Sequence, residues 1–368
     1  PLDLLQGKVA GLQITRTGGS NPNSGVGIQL RGVTSVTGSQ SPLIVIDGIP
    51  GGNLDLLQQD DIASFSVLKD GSGAAIYGTR ANAGVILVTT KKGKAGPARF
   101  DYSGYLRKEY LYQRPDFLTV DEFREKIRSG QFDRQDYGAS LDPFDDLVNH
   151  GNLSQNHNLS MSGGSEKTSY RASINYRDLQ GFAKNNRRTE YGIRLNLNSK
   201  GLDDKLFTQI NLSTNFNKGD LLGGGGWENQ LTRNPTQSYY NPDGSWFFDP
   251  NATNEIARLE QETNKRQQQT SSIDAKAEYE IFKGFKASVF GAVQRNSYVD
   301  GSYRSVFGEY SLENDIYKNG GYAARSTVLE QNFNVEPTLQ YATTFGEDHS
   351  LTAIGGYSYR YEVNEGFN

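Results

Sequence analysis

From residue 99 onward the chain repeats a pattern that few folds accept: long stretches in which apolar and polar residues alternate one by one. Across 191–198, Tyr191, Ile193, Leu195 and Leu197 alternate with Gly192, Arg194, Asn196 and Asn198. Across 209–216, Ile210, Leu212, Thr214 and Phe216 alternate with Gln209, Asn211, Ser213 and Asn215. Ile273, Ala275, Ala277, Tyr279 and Ile281 then alternate with Asp274, Lys276, Glu278 and Glu280. A period of two places one set of side chains on each face of a strand. Similar stretches lie near 100–110, 155–163, 168–177, 285–296, 328–342 and 350–361, about nine in all and each roughly 9–13 residues long. Strands of soluble proteins run to about 5–6 residues, whereas a tilted membrane-crossing strand needs about 9–11. The lengths favour a membrane.

The connections point the same way. In order they are long, short, medium, short, long, short, long, short. The short ones lie near Gly164–Lys167, Gly201–Lys205, Phe282–Gly284 and Thr344–Asp348, and the long ones near 111–154, 217–270 and 297–326. Short periplasmic turns alternating with long outer loops mark an outer-membrane barrel. The long loops carry signals of their own. Thr119-Val120-Asp121-Glu122 fits a capping box ahead of a helix through Ile127. Residues 254–268 predict another helix, and Gly223–Gly226 a flexible linker.

Composition narrows the function classes. Thirty-eight basic and 42 acidic residues leave a net charge of −4, without the basic footprint of a nucleic-acid binder. The absence of cysteine removes disulfides, thiolate metal sites and a cysteine nucleophile. His150, His157 and His349 stand far apart and read as lone polar residues; Asp142, Asp145 and Asp146 lack calcium-loop spacing and read as a solvated acidic loop. Gly25-Val26-Gly27 opens like a dinucleotide loop, but Leu30 stands where the third glycine belongs. No catalytic constellation converges and no cofactor is implied. Mean hydropathy is −0.64, and no apolar run approaches the roughly 18 residues of a membrane helix.

Residues 1–98 read differently, as a small α+β unit. It comprises a short helix from Leu2 to Val9, strands at Leu12–Thr15 and Val26–Leu30, and a buried strand from Pro42 to Asp47. A turn follows at Asp47–Gly52, then a helical piece over 54–61. From Ile62 to Lys94, an apolar run (Phe65, Val67, Leu68) leads through small-residue turns containing Gly71, Gly73, Gly78 and Gly84. Val85–Thr90 follows as a strand apolar enough to be buried on both faces, and Lys91-Lys92-Gly93-Lys94 ends it.

Three stretches here carry a family resemblance: Leu5–Leu12, Ile28–Gly32 running on to Pro42–Gly48, and 62–94. With Asn156–Ser160, Gly163-Gly164 and Tyr170 further on, the chain resembles SusC/RagA-type TonB-dependent outer-membrane transporters. The resemblance implies an α+β plug domain (1–98) followed by antiparallel transmembrane β-barrel strands (99–368), about nine of an expected twenty-two or so. Nine strands leave an edge that lipid cannot tolerate. The chain is therefore expected to be most of the plug plus the first part of an incomplete barrel, and its start at Pro1 is read as processing or truncation.

The resemblance further implies import of large nutrients, oligosaccharides or peptides, across the outer membrane of a Bacteroidota-type bacterium. The expected partners are a SusD-like surface lipoprotein as lid, TonB acting through a segment preceding the plug, and outer-membrane lipid. A receptor, adhesin or secretion component using the same barrel without import is the alternative. Arg31 and Arg80, alone in uncharged stretches of the plug, are either surface residues or partners of barrel-wall carboxylates. Asp47 is a turn residue, part of the plug's substrate-facing loop, or a further plug–barrel contact beside Arg31 and Arg80. Trp227, Tyr239, Tyr240, Trp246, Phe247 and Phe248 are loop aromatics suited to sugar rings, to a partner, or to local packing.

Overall fold

The computed structural model describes residues 7, 9–16, 18–30, 41–69, 77, 81–222, 226–249, 253–308, 311, 320–345 and 349–367. Most of the expected helix from Leu2 to Val9 lies outside them, as do the turn glycines Gly71, Gly73 and Gly78 and the arginines Arg31 and Arg80.

The first unit holds two small sheets. β1 (Leu12–Arg16) and β2 (Val26–Leu30) form an antiparallel pair. The other sheet comprises β3 (Leu43–Ile46), β4 (Ile49–Pro50), β5 (Ile62–Leu68) and β6 (Val85–Thr90), in the order β4-β3-β6-β5. β6 runs parallel to β3 and antiparallel to β5, so it sits inside the sheet. Val85 and Ile86 are 0% exposed, and Val88 only 1%. Leu12, Ile14, Leu30, Ile46 and Leu57 pack with Ile86 and Val88 into one core. Asp47 and Gly48 join β3 to β4 in a two-residue hairpin with φ of 49° and 93°, a turn for which Asp-Gly is suited. Gly84 has φ of 90°, and a Cβ there would lie 2.4 Å from Leu30 Cδ2, so both backbone and packing require glycine. The helical piece expected over 54–61 is two 3₁₀ turns, Leu54–Leu56 and Gln59–Asp61.

The wall is one antiparallel sheet. It runs from β7 (Gly96–Lys108) through β8 (Leu153–Gly164), β9 (Thr168–Gln180), β10 (Arg187–Gly201), β11 (Leu206–Asp220), β12 (Glu262–Phe282), β13 (Phe285–Arg304) and β14 (Tyr322–Phe345). The last pass is broken into β15 (His349–Gly356) and β16 (Tyr359–Phe367), both paired with β14. From β7 to β15 each strand pairs with its sequence neighbour, and among the described residues the sheet does not close. The connections are 109–152, 165–167, 181–186, 202–205, 221–261, 283–284, 305–321 and 346–348, the long–short alternation expected.

Three expectations need correction. The second and third long loops, 221–261 and 305–321, are shorter than the expected 217–270 and 297–326, because β11 to β14 continue past their apolar stretches, whereas the first, 109–152, is as long as the expected 111–154. Beyond a bilayer no face has to be apolar, so polar residues on both sides carry the ladder onward. The helix expected over 254–268 ends at Gln261 for the same reason: from Glu262 the chain pairs residue by residue with β13, starting at Glu262 against Arg304. The wall's first strand also begins at Gly96, taking in the last three residues of the span assigned to the first unit; Pro97 sits at a register irregularity on this edge strand, where a missing N–H is tolerated.

The wall's faces are inverted relative to a soluble sheet. On β10, Tyr191, Ile193 and Leu195 are exposed, whereas Glu190, Arg194 and Asn196 are buried. On β11, Ile210, Leu212 and Phe216 are exposed, with Gln209, Asn211, Ser213, Asn215 and Asn217 buried. The polar face is covered by the first unit; the apolar face is left outward.

In the outer connections lie α1 (Val120–Arg128), α2 (Gly226–Thr232) and α3 (Glu255–Gln261). Thr119 caps α1 in a reciprocal capping box with Glu122.

Candidate functional site: the plug–wall interface and the cavity above it

The contacts between the first unit and the wall are polar. Asp61, at the end of the second 3₁₀ turn, is 3% exposed; its Oδ1 lies 3.3 Å from Arg171 Nη2, and its Oδ2 accepts from Ser173 Oγ at 3.0 Å. Asp47 is held by β6, accepting from Thr90 N at 2.9 Å and Thr90 Oγ1 at 2.6 Å, and its Oδ2 lies 3.4 Å from Arg194 Nη1 on β10. Behind Arg194 the wall's own amides link up: Asn196 donates to Asn211, which donates to Asp274 at 2.7 Å. Lys92 Nζ donates to Gln209 Oε1 at 3.0 Å. At the outer end, Asn23 of the 18–25 loop donates to Asp220 O at 2.8 Å and Arg187 O at 3.2 Å, and Ser20 Oγ accepts from Phe182 N at 2.9 Å. Asn23 Oδ1 would be 2.5 Å from a Cβ on Gly219, so the absent side chain there makes room for the loop.

The charge order is noteworthy. In the described contacts the plug supplies carboxylates, Asp47 and Asp61, to wall arginines, while Arg31 and Arg80 lie outside the described residues. Asp61, Arg171 and Arg194 were not singled out beforehand. Asp61 ends the polar run Gln58-Gln59-Asp60-Asp61, which looks like any surface turn, and its partner is more than a hundred residues away.

Between the 18–25 loop, the 52–60 segment and the polar face of β7 to β13 lies a cavity of about 740 Å³. Its walls are amide- and arginine-rich, with Tyr105 and Tyr298 as the aromatic faces. Glu190 is 0% exposed and carries two guanidinia: Arg177 Nε donates to Oε2 at 2.8 Å, and Arg188 Nε lies 2.5 Å from Oε1.

The loop aromatics divide into two groups. Trp227 packs edge-on against Phe144 at 5.2 Å and stacks on Phe182 at 6.4 Å. Tyr239 is buried; its hydroxyl donates to Asp146 Oδ2 and accepts from Gln230 Nε2, both at 2.6 Å, and burial together with that carboxylate pushes its phenol well up. Arg233 lies over the rings of Tyr239 and Phe247. Tyr240 and Trp246 stack on each other at 4.4 Å with Tyr240 exposed, and Phe248 is also exposed. The acidic trio is not simply solvated: Asp142 holds Arg114 bidentately at 2.6 and 2.8 Å, Asp145 faces His150 at 3.1 Å, and Asp146 holds Tyr239. Among the described residues no group of three or more His, Cys, Asp or Glu could hold a metal ion. No described helix is long and apolar enough to cross a membrane, which does not bear on strands.

Comparison with known proteins agrees with this geometry. The family model for the TonB-dependent receptor plug domain matches residues 1–85. TonB-dependent receptor P26 of Formosa agariphila is 34% identical over 381 residues, covering 97% of this chain and 37% of that protein. TonB-dependent receptor SusC of Bacteroides thetaiotaomicron is 28% identical over 406 residues, covering 98% and 39%. The chain thus spans less than half the length of the curated relatives it matches. The solved RagAB peptide importer in its "closed-closed" state superposes with a TM-score of 0.79 at 23% identity, covering 99% of this chain and 46% of that one, a likeness of fold. With a plug-family match ahead of an open wall whose apolar face points outward, the chain belongs to the SusC/RagA-type TonB-dependent receptors, β-barrel proteins of the outer membrane.

Proposed function

We propose that this chain is the plug and adjoining wall of an importer that carries large nutrients, oligosaccharides or peptides, across the outer membrane under the pull of TonB. The residues before Gly96 act as the stopper and those from Gly96 onward as a section of the wall. The inverted wall carries this reading: an outward apolar face suits lipid, and an inward amide-rich face suits a wet passage. The plug is held there by polar contacts at Asp47, Asp61 and Asn23, which water can replace once the plug is displaced. An apolar plug–wall seam would have to expose its buried surface to open. TonB would act through a segment preceding the plug, and a SusD-like lipoprotein would close over the outer loops, where Tyr240, Trp246 and Phe248 are available for contact. Uptake of oligosaccharide or peptide mixtures by cells carrying the full-length receptor, with and without TonB, tests this. Import should vanish without TonB; uptake that persists overturns it.

A further inference from the structure

We infer that cargo passes the plug along one flank only, where the β4 edge of the plug sheet meets β12 and β13, and that the contact between Asp47 and Arg194 closes this passage at rest. This rests on the import reading and specifies where on the plug the cargo crosses. Three spaces follow the inward face of β12 and β13 from their outer end to their inner end. The cavity of about 740 Å³ reaches Gln268 and Tyr298. A constriction of about 10 Å³ follows at Ser272, Asp274 and Gln294, with room for about one water. Beyond it a cavity of about 480 Å³ opens at Lys276 and Phe290. Gln268 pairs with Tyr298, Ser272 with Gln294 and Lys276 with Phe290, and the steps along each strand are even, so all six lie on one face. From Gln268 to Lys276 the track covers about 27 Å of wall. The plug side is continuous too: Gly52 and Asn53 line both the outer cavity and the constriction, and Asp47 both the constriction and the inner cavity. Arg194 Nε and Ser272 Oγ at the constriction are buried without a hydrogen-bond partner, so water or cargo entering there would satisfy groups that the closed seam does not. The two flanks of the plug are held differently. β4 is the edge strand, joined to β3 only through Val45 with Pro50 and Ile46 with Ile49, and the 3₁₀ turn Leu54–Leu56 after it lies against β11 and β12. Asp47 is fixed to β6 through Thr90, which leaves Arg194 as its contact across the seam. On the other flank Asp61 is clamped by Arg171 and Ser173, and Ser160, cross-strand from Ser173, is 2% exposed. Parting the β4 flank breaks the Asp47–Arg194 contact and leaves the Asp61 clamp in place.

The test places single cysteines in the full-length receptor, in cells that carry its lid lipoprotein and are supplied with oligosaccharide and peptide mixtures. This chain contains no cysteine, and the unsubstituted receptor sets the background. Ser272→Cys reports on the passage and Ser160→Cys on the clamped flank; both serines are buried on the wall's inward face, and each exchange alters one atom. The probe is the charged, water-borne thiol reagent methanethiosulfonate ethyltrimethylammonium. Ser272→Cys should be labelled while TonB is active, and the labelling should be lost without TonB. Ser160→Cys should stay at background in both. Asp47→Asn keeps a residue suited to the hairpin's positive φ. Combined with Ser272→Cys and without TonB, it should raise labelling about tenfold, the scale of a weakened charged hydrogen bond. Equal TonB-dependent labelling at both positions means that the plug leaves as a whole and overturns the one-flank passage. Labelling unchanged by Asp47→Asn overturns the closing contact. TonB-dependent uptake with Ser272→Cys unlabelled removes the passage and leaves import standing. TonB-dependent labelling of Ser272→Cys without cargo uptake leaves the opening standing and removes import.

Discussion

Two strands show how differently the same residues can be used. β6 of the plug and β10 of the wall are both rich in Ile, Leu or Val, and both are interior strands of their sheets. In β6 most apolar side chains are removed from solvent, with Val85 and Ile86 inaccessible and Val88 buried. In β10, Ile193 is 57% exposed while Asn196, three residues on, is 1% exposed. The plug follows the ordinary rule because water surrounds it, and the wall reverses the rule because its outer solvent is hydrocarbon. The polar contacts between them follow from that: a wall that turns its amides and arginines inward can bind a plug only through groups that satisfy them.

Breaking the seam should have the largest effect. Asp61→Ala strands Arg171 in a buried site, and removing one partner of such a pair costs about 3–5 kcal/mol. Calorimetry of the full-length receptor should show the plug transition shifted down while the barrel transition holds; an unmoved plug transition would mean that water already compensates Arg171. Ile86→Ala, wholly inside the plug, is expected to cost about 2–5 kcal/mol through lost contacts and a cavity, again confined to the plug transition.

The reciprocal experiment on the wall is Ile193→Arg. In a soluble sheet an exposed Ile exchanged for Arg would be nearly neutral. At the lipid face it should destabilise insertion by about 2–4 kcal/mol near the midplane, read as reduced assembly of heat-modifiable barrel in outer-membrane fractions. Normal assembly would erase the contrast between the two regions.

Much of this contrast is written into the residues. The alternation at 191–198 and 209–216 states a two-faced strand, and the lengths select lipid over water as the outer medium. Asp47-Gly48 states its hairpin, and Thr119 with Glu122 its helix start. Strand ends were not legible, because residues 262–269 are polar on both faces and only pairing with β13 distinguishes them from a helix continuing from Gln261. Nor was the seam. Asp60 and Asp61 are identical locally, yet Asp61 alone is buried against Arg171 and Ser173, a distinction made by contacts more than a hundred residues away.

The smallest effect should come from the outer loops, where neither rule applies strongly. The hydrogen bond from Arg114 is the chief reason Asp142 titrates below its ordinary 3.8, and the unfolded loop would return it to that value. A carboxyl depressed in the folded state stabilises that state fully above its unfolded pKa and loses the contribution as pH falls through the lowered value. The Asp142–Arg114 pair should therefore be intact throughout neutral and mildly acidic conditions, and be lost only below 3.8. Both side chains are partly exposed, so Asp142→Asn should cost at most about 1 kcal/mol at neutral pH. Limited proteolysis of the 109–152 loop checks this: cutting should rise modestly in the variant at pH 7, and wild type and variant should converge as the pH drops below 3.8. Convergence already at pH 5 would mean that the Asp142–Arg114 pair does not hold the loop.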